Sequence, residues 1–203
     1  MLNAVRVGLI DGGVGGATAA AVVAARSFIG AEPAGVSASS HGSQVAHCVL
    51  QHCASADLFV AQVAWLVEQG AQIVNMSFGM SQASPRLSRA CRAAAASGVV
   101  LVASAPARGG LAFPAAFGEC IAVSGDARCA PGEVSWLASA SAEFGTHPFL
   151  HPDDPRRGGG ASIAAARMTG LLAAELFAGA DAGRLRSTLA ERACYFGPER
   201  RYA

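Results

Sequence analysis

The segment Val7-Gly8-Leu9-Ile10-Asp11-Gly12-Gly13, near the start of the sequence, is an apolar run that stops at a carboxylate and two glycines. A short apolar run bounded by turn residues predicts a buried strand, which we place over residues 4–10. Asp11 then lies at the carboxyl end of that strand. Ligands gather at this edge of a parallel sheet, so Asp11 is a candidate functional residue.

Further apolar runs of strand length alternate with stretches of helical periodicity. The predicted strands are 58–63, 73–76, 99–103 and 120–124, and the predicted helices are 42–53, 64–69, 84–97, 162–178 and 184–192. This alternation predicts an α/β fold, a mostly parallel sheet with helices on both faces. Gly, Pro and Ser dominate residues 125–160, which we predict to be loops with room for a hairpin.

Composition narrows the class of protein. The 203 residues are 52% hydrophobic and 14% charged, with a formal net charge of +1. Such a chain suits one domain over residues 1–203 and gives no electrostatic reason to expect nucleic acid or a membrane surface as partner. No apolar stretch approaches the about 20 residues of a membrane span. With neither a secretory signal nor a pro-domain before residue 4, we expect a cytoplasmic protein with reduced cysteines.

Two later segments share the make-up of the first, one reactive side chain beside glycines and an apolar run. They are Ser40-His41-Gly42-Ser43-Gln44-Val45-Ala46 and Gly159-Gly160-Ala161-Ser162-Ile163-Ala164-Ala165. A serine nucleophile needs an imidazole to take its proton and a carboxylate to orient that imidazole. Asp11, His41 and Ser162 therefore predict a catalytic triad, with Ser162 at a helix N-terminus that favours an anion.

The order Asp, His, Ser is that of the subtilisin-like serine proteases, and the chain resembles this family in four further segments. The segment from His41 is similar to the family's H-G-T-H-V-A, residues 73–79 to V-I-N-M-S-L-G, residues 113–124 to Y-P-A-x-x-x-x-V-I-A-V-G, and residues 160–170 to G-T-S-M-A-A-P-H-V-A-G. The resemblance covers residues 4 to about 178, with shortened loops. It implies a serine endopeptidase without a cofactor. We expect no metal, because the acidic loops of calcium-binding relatives are missing.

The resemblance also implies where a protein or peptide substrate binds. An extended substrate would pair with the backbone of Ser77-Phe78-Gly79 by strand addition. Ser104 and Ala105 would form the opposite wall of the substrate site. Phe78 has an alternative role as a core residue, since an apolar phenylalanine is often buried.

The chain departs from the family around the oxyanion. Ala107 stands where the family has an asparagine that donates to the oxyanion, and Ala161 replaces the threonine before the nucleophile. Losing one such donor lowers the rate by a factor of about 10²–10³. The backbone N–H of Ser162 remains. Three side chains are candidates for the missing donor: Gln44, Arg108 and Ser104.

A weakened site suits a narrowly specific maturation protease that removes a leader peptide from one partner, alone or together with the enzyme that modifies that partner. This combination is similar to the short subtilisin-like proteases of quinohemoprotein amine dehydrogenase biogenesis.

Two other functional classes stay open. A peptide-binding pseudoprotease is favoured by Ala107 and Ala161 but opposed by the intact triad. A nucleotide-binding domain is disfavoured because Thr18 stands where a dinucleotide motif starting at Gly13 needs its third glycine.

One cluster of metal-ligating residue types lies in the predicted helix 42–53. It consists of His47, Cys48, His52 and Cys53. Cys48 and His52, four residues apart, face the same side of a helix and can chelate. The commoner alternative is a partly buried helix whose thiols act as small apolar groups.

Overall fold

The computed structural model describes residues 4–27 and 37–199. The strands are β1 (Arg6–Ile10), β2 (Val22–Ala25), β3 (Asp57–Val60), β4 (Ile73–Met76), β5 (Val100–Ser104), β6 (Cys120–Gly125), β7 (Val134–Trp136), β8 (Phe144–Thr146) and β9 (Tyr195–Phe196). The α-helices are α1 (His41–His52), α2 (Val63–Glu68), α3 (Pro85–Ala96), α4 (Ala161–Phe177) and α5 (Leu185–Glu191). Short 3-10 helices cover Gly16–Ala21, Pro155–Arg157 and Ala182–Arg184.

The described strands form one sheet in the order β2-β3-β1-β4-β5-β6-β8-β7-β9. Neighbouring strands from β2 to β8 pair in parallel. The exception is β7, which is antiparallel to β8 and parallel to β9. The predicted α/β fold with a mostly parallel sheet is confirmed, and the β7–β8 pair is the hairpin for which residues 125–160 had room.

Helices cover both faces of the sheet. On one face, α1, α4 and α5 pack against alternate strand residues such as Val7 and Leu9. On the other face, α2 and α3 pack against residues such as Val74 and Met76. A strand buried on both faces has to be apolar throughout, which explains why the central strands read as unbroken hydrophobic runs.

Three features at the sheet's margins differ from the sequence-based expectation. Val63 begins α2 instead of ending β3, while β2 and β9 were not predicted at all. Both missed strands lie at the two edges of the sheet. A strand of two residues, as in β9, is too short to show an alternating pattern, and β2 lies in an alanine-rich stretch without one. Pairing with a neighbouring strand decides their conformation.

The helices α1 and α4 approach each other closely on one face of the sheet. A Cβ atom on Gly170 of α4 would lie only 2.6 Å from the carbonyl oxygen of Val49 in α1. Gly170 and Val49 each lie eight residues beyond Ser162 and His41, respectively. At 1.5 Å per residue, the contact is about 12 Å down each helix axis from those residues. The two helices therefore bring their N-termini to the same level.

The longest described helix, α4, is buried over most of its circumference and carries the buried Arg167. Among the residues that the structure describes, no helix combines the length and apolarity needed to span a bilayer.

The fold predicts how the thiols react. Of the six cysteines, only Cys194 is exposed in the structure. We expect a chromogenic aryl disulfide to titrate one thiol rapidly in the folded protein and all of them in urea, since reactivity needs access. The variant Cys194→Ser should lose the rapid phase. Rapid reaction of a second thiol in the folded protein would contradict this packing.

The start of α1 predicts a second effect. A Cβ atom on Gly42 would lie 2.6 Å and 2.8 Å from the carbonyl oxygens of Gly12 and Gly13. Because backbone has to move, we expect Gly42→Ala to lower the free energy of unfolding by about 1–3 kcal/mol, measured by urea denaturation. Gly118→Ala is the matched control, since its Cβ would meet nothing within 4 Å. Equal stability of the two variants would refute this close approach.

Candidate active site

Asp11 and His41 are hydrogen-bonded to each other at the carboxyl edge of the sheet. His41 Nδ1 lies 2.9 Å from Oδ1 and 2.8 Å from Oδ2 of Asp11. The Asp11 side chain is 6% exposed and the His41 side chain 50% exposed. A carboxylate only accepts hydrogen bonds, so the neutral imidazole carries its proton on Nδ1. The unprotonated Nε2 is then free to take a proton.

A serine network joins the Asp11 loop to the start of α1. Ser40 caps α1 by accepting from the Ser43 backbone N–H at 3.2 Å, and its hydroxyl lies 3.1 Å from the Gly13 carbonyl. Ser43 Oγ accepts from the Gly15 backbone N–H at 2.8 Å. These bonds hold the loop after Asp11 against the helix that starts at His41. Sequence reasoning missed this role, although a serine before a predicted helix is a capping signal.

Ser162 is the second residue of α4, directly after a glycine-rich approach. Gly160 has a φ of 130°, in the left-handed region that favours glycine. The Ser162 hydroxyl donates to the Ser77 carbonyl oxygen at 3.2 Å, not to His41. The Ser162 backbone N–H lies in the first helical turn, where no acceptor exists within the helix. It is therefore available to a ligand.

A buried polar network connects α4 to the end of β4. The hydroxyl of Thr169 lies 3.0 Å from Asn75 Oδ1, and Asn75 Nδ2 donates to Ser77 Oγ at 2.7 Å. Asn75 and Thr169 are fully buried. Buried amides that are fully paired give a rigid, unique arrangement. The network thus fixes the position of Ser77 relative to α4, the helix that carries Ser162.

Arg167 is a buried cation whose described partners are all neutral. It is 2% exposed, and its Nη2 donates to the Phe149 and Leu150 carbonyl oxygens at 2.8 Å and 3.4 Å. Its Nη1 donates to Gln51 Oε1 at 3.3 Å, and its Nε has no partner. Sequence reasoning missed Arg167, because nothing in the motif indicates that it is buried.

The bonds from Arg167 hold the segment that precedes Ser162. Phe149 and Gly159 form an antiparallel bridge, and the Gly160 N–H donates to the Pro148 carbonyl oxygen at 2.8 Å. The segment is therefore a narrow hairpin stalk that ends at Ala161. Arg167 anchors the first leg of this stalk, and the second leg delivers Ser162.

Of the five predicted substrate residues, Gly79, Ser104 and Ala105 line one cleft of about 500 Å³, whereas Ser77 and Phe78 do not line it. Gly79 lies on one wall, Ser104 and Ala105 lie on another, and Ala161 lies beside them. The Ser77 carbonyl accepts from Ser162, while residues 77–79 belong to no strand. Phe78 is half-buried and packs against the core on the face of α2 and α3, as its alternative role anticipated.

The candidate oxyanion residues are placed differently from one another. Ala107 is exposed beside Arg108 at the mouth of a second cleft. Gln44 Nε2 donates to the Ser39 carbonyl oxygen at 3.1 Å, so its amide is engaged next to α1. Arg108 lines both clefts. The side chains of Arg108 and Ser104 have no recorded hydrogen bond within the described chain.

Cys48 is a buried residue of α1 that lies near the Arg167 cation of α4. Burial raises the pKa of Cys48 to about 11, although the Arg167 cation acts in the opposite direction. Burial and the same cation lower the pKa of His52. Cys48 is thus a protonated core thiol at neutral pH, as the apolar reading of this cluster predicts.

Comparisons with solved structures identify similar folds. The chain is similar to the prenylagaramide maturation protease PagA, with a TM-score of 0.63 and 19% identity over 91% of this chain and 81% of that chain. It is similar to a lanthipeptide protease, with a TM-score of 0.63 and 18% identity over 91% of this chain and 75% of that chain. The protease domain of PatA also matches, with a TM-score of 0.63 and 20% identity over 90% of this chain and 84% of that chain.

No protein-family model and no curated protein matches the sequence. The shared fold covers 90–91% of this chain in these three comparisons. It agrees with the resemblance in the sequence motifs. The chain has the fold of the subtilisin-like proteases.

Proposed function

We propose that the chain is a serine endopeptidase of the subtilisin type with Asp11, His41 and Ser162 as its triad. The observation that carries the proposal is the Asp11–His41 hydrogen bond, formed at the sheet edge where Ser162 contacts the residue after β4. A chance pairing of these motifs would not place all three at one edge.

The proposed reaction is acyl transfer to water. The Ser162 hydroxyl turns from the Ser77 carbonyl to His41 and attacks the substrate carbonyl carbon. His41 Nε2 takes the hydroxyl proton and gives it to the leaving amine, while Asp11 stabilises the imidazolium. Water then cleaves the acyl-enzyme by the same proton transfers. The oxyanion is stabilised by the Ser162 N–H and the N-terminus of α4.

The proposed substrate is an extended peptide that adds a strand beside Ser77-Phe78-Gly79. These residues continue β4 beyond its last ladder bond, and they form no strand of their own. Backbone N–H and C=O groups outside the strand ladders can pair with an added strand, and the Ser77 carbonyl becomes available once the Ser162 hydroxyl turns away from it. Ser104, the last residue of the neighbouring strand β5, and Ala105 directly after it would flank the other side of the peptide.

Removal of a leader peptide from one partner is the specific role we infer. Two of the similar structures are a maturation protease and a lanthipeptide protease, which supports a peptide precursor as substrate. Absence of the oxyanion side chain at Ala107 supports a slow enzyme that needs remote binding energy from its partner. We expect it to act in the cytoplasm. Cooperation with a modifying enzyme, as in amine dehydrogenase biogenesis, is a further part of this prediction.

A peptide-binding pseudoprotease is the second candidate. It is favoured by the Ser162 hydroxyl, which donates to Ser77 instead of His41, and by Ala107. The buried Asp11 carboxylate argues against it, because a binding module has no need for a carboxylate that selects one histidine tautomer.

Covalent labelling of the nucleophile tests the proposal. We expect a generic fluorophosphonate to label the protein once and the variant Ser162→Ala not at all, as mass spectrometry of the intact protein would report. Asp11→Asn should label slower by about 10⁴-fold, since an amide favours the wrong histidine tautomer. Circular dichroism checks that both variants fold. Persistent labelling of Ser162→Ala would refute the triad, and an unlabelled native protein would favour the pseudoprotease.

Substitution of Gly79 tests the substrate strand. A Cβ atom there would meet only Ala112 Cβ, at 3.4 Å, so Gly79→Val should fold while blocking an approaching backbone. We expect labelling by a tripeptidyl phosphonate to slow more than about tenfold, which corresponds to about 1.4 kcal/mol. Labelling by the small fluorophosphonate should not change.

The matched control is Gly118→Val, an exposed glycine outside both clefts. Its labelling rates with both reagents should equal those of the native protein. If Gly79→Val reacts normally with the tripeptidyl reagent, the peptide binds elsewhere.

A further inference from the structure

The cleft beside Ser162 contains one charged residue. We name it the Arg108 cleft; it has a volume of about 500 Å³, and its other lining residues are uncharged within the described chain. Apolar atoms from Met80, Leu111 and Ala112 form part of its wall. Ala161, the residue before Ser162, lines the same cleft. The side chain of a substrate residue bonded to Ser162 would therefore enter the cleft that Arg108 also lines.

The guanidinium of Arg108 has no counter-ion in the described chain. The recorded ion pairs of arginine join other residues, and Arg108 is exposed. Other buried or half-buried arginines here donate to carboxylates or carbonyls, as Arg128 does to Asp126. Arg108 thus presents five N–H donors to the cleft and to solvent.

Three neutral features add to the preference for negative charge. Ser81 and Ser104 line the cleft, and hydroxyls can donate to a carboxylate. Ala161 begins α4, so the positive end of a helix of 17 residues points toward the same space. No acidic side chain lines the described cleft to oppose this field.

We propose that the Arg108 cleft accepts an acidic side chain, Asp or Glu, on the substrate residue whose carbonyl Ser162 attacks. This inference rests on the proposed protease function and specifies its substrate. Guanidinium and carboxylate match in a bidentate arrangement, which is stronger than a neutral hydrogen bond. Arg108 is then a specificity-determining residue.

An apolar substrate side chain is the main competitor, because Met80 and Leu111 are among the exposed large hydrophobic residues of the chain. Such a side chain would desolvate Arg108 without pairing it, which is unfavourable. A lysine would meet like charge. The cleft therefore discriminates by charge as well as by size.

A role of Arg108 as the substitute oxyanion donor predicts a different outcome. An oxyanion donor stabilises the transition state of every substrate, whatever its side chain. A specificity residue changes the ratio between substrates. The two roles are separated by varying the substrate side chain and Arg108 together.

The experiment uses the full chain and tripeptidyl diphenyl phosphonates that differ only in the residue bearing phosphorus: aspartate, leucine or lysine analogues. Second-order rates of Ser162 labelling are measured by mass spectrometry, with the generic fluorophosphonate as a check on the nucleophile. The native protein should react with the acidic reagent about tenfold faster than with the other two. The ratio should fall as salt is raised, because Arg108 is exposed and screened.

Charge reversal supplies the matched variants. Arg108→Glu should reverse the order in favour of lysine, and Arg108→Gln should remove the acidic preference. Arg92→Glu, at an exposed arginine of α3 outside the cleft, should keep the native order.

Three outcomes would overturn the inference while leaving the protease proposal intact, provided that the fluorophosphonate labels Ser162. They are equal rates for the three reagents, a fastest leucine reagent, and a uniform loss of rate in Arg108→Gln with an unchanged ratio. Failure of the fluorophosphonate to label Ser162 would overturn the protease proposal, and this inference with it.

Discussion

The close approach of α1 and α4 is the constraint on which the site depends. Gly170 lets the two helices meet at Val49 with no side chain between them. Both helices begin at the same sheet edge, so His41 contacts Asp11 after β1 and Ser162 contacts Ser77 after β4. A side chain at Gly170 would push the two helices apart. It would thereby separate His41 from Ser162, which are far apart in sequence and are brought together by this packing.

Buried hydrogen bonds then fix the position of α4 more closely than apolar packing alone would. Asn75 and Thr169 couple α4 to β4 inside the core, and Arg167 ties α4 to the stalk before Ser162. A buried arginine without a carboxylate is costly unless its hydrogen bonds are good. Here carbonyl oxygens of the stalk take that role, so losing the cation would also release the stalk. Arg167 therefore contributes both to the stability of the fold and to the position of Ser162.

The region proposed to bind the oxyanion lacks a side-chain donor at Ala107 but has a positive charge at the next residue, Arg108. Ala107 offers no side-chain donor, and Gln44 is engaged with Ser39. The next residue, Arg108, adds a charge at the mouth of the clefts on either side. An enzyme with a poorer oxyanion site depends more on binding energy distant from the scissile bond. In the proposed protease, the Arg108 cleft would be one source of that energy and would also narrow the range of substrates.

The sequence by itself determined the type and order of the central elements, because burial on two faces imposes unbroken apolar strands and helical periodicity on the local pattern. It also predicted Asp11, His41 and Ser162 as a triad, since each motif joins a reactive side chain to glycines that the local backbone requires. Only the tertiary structure decided that the Ser162 hydroxyl rests on Ser77, that Arg167 is buried, and that β2 and β9 are strands. Those outcomes depend on which distant segments meet, and no local pattern encodes the partner of a hydrogen bond made across 85 residues of chain.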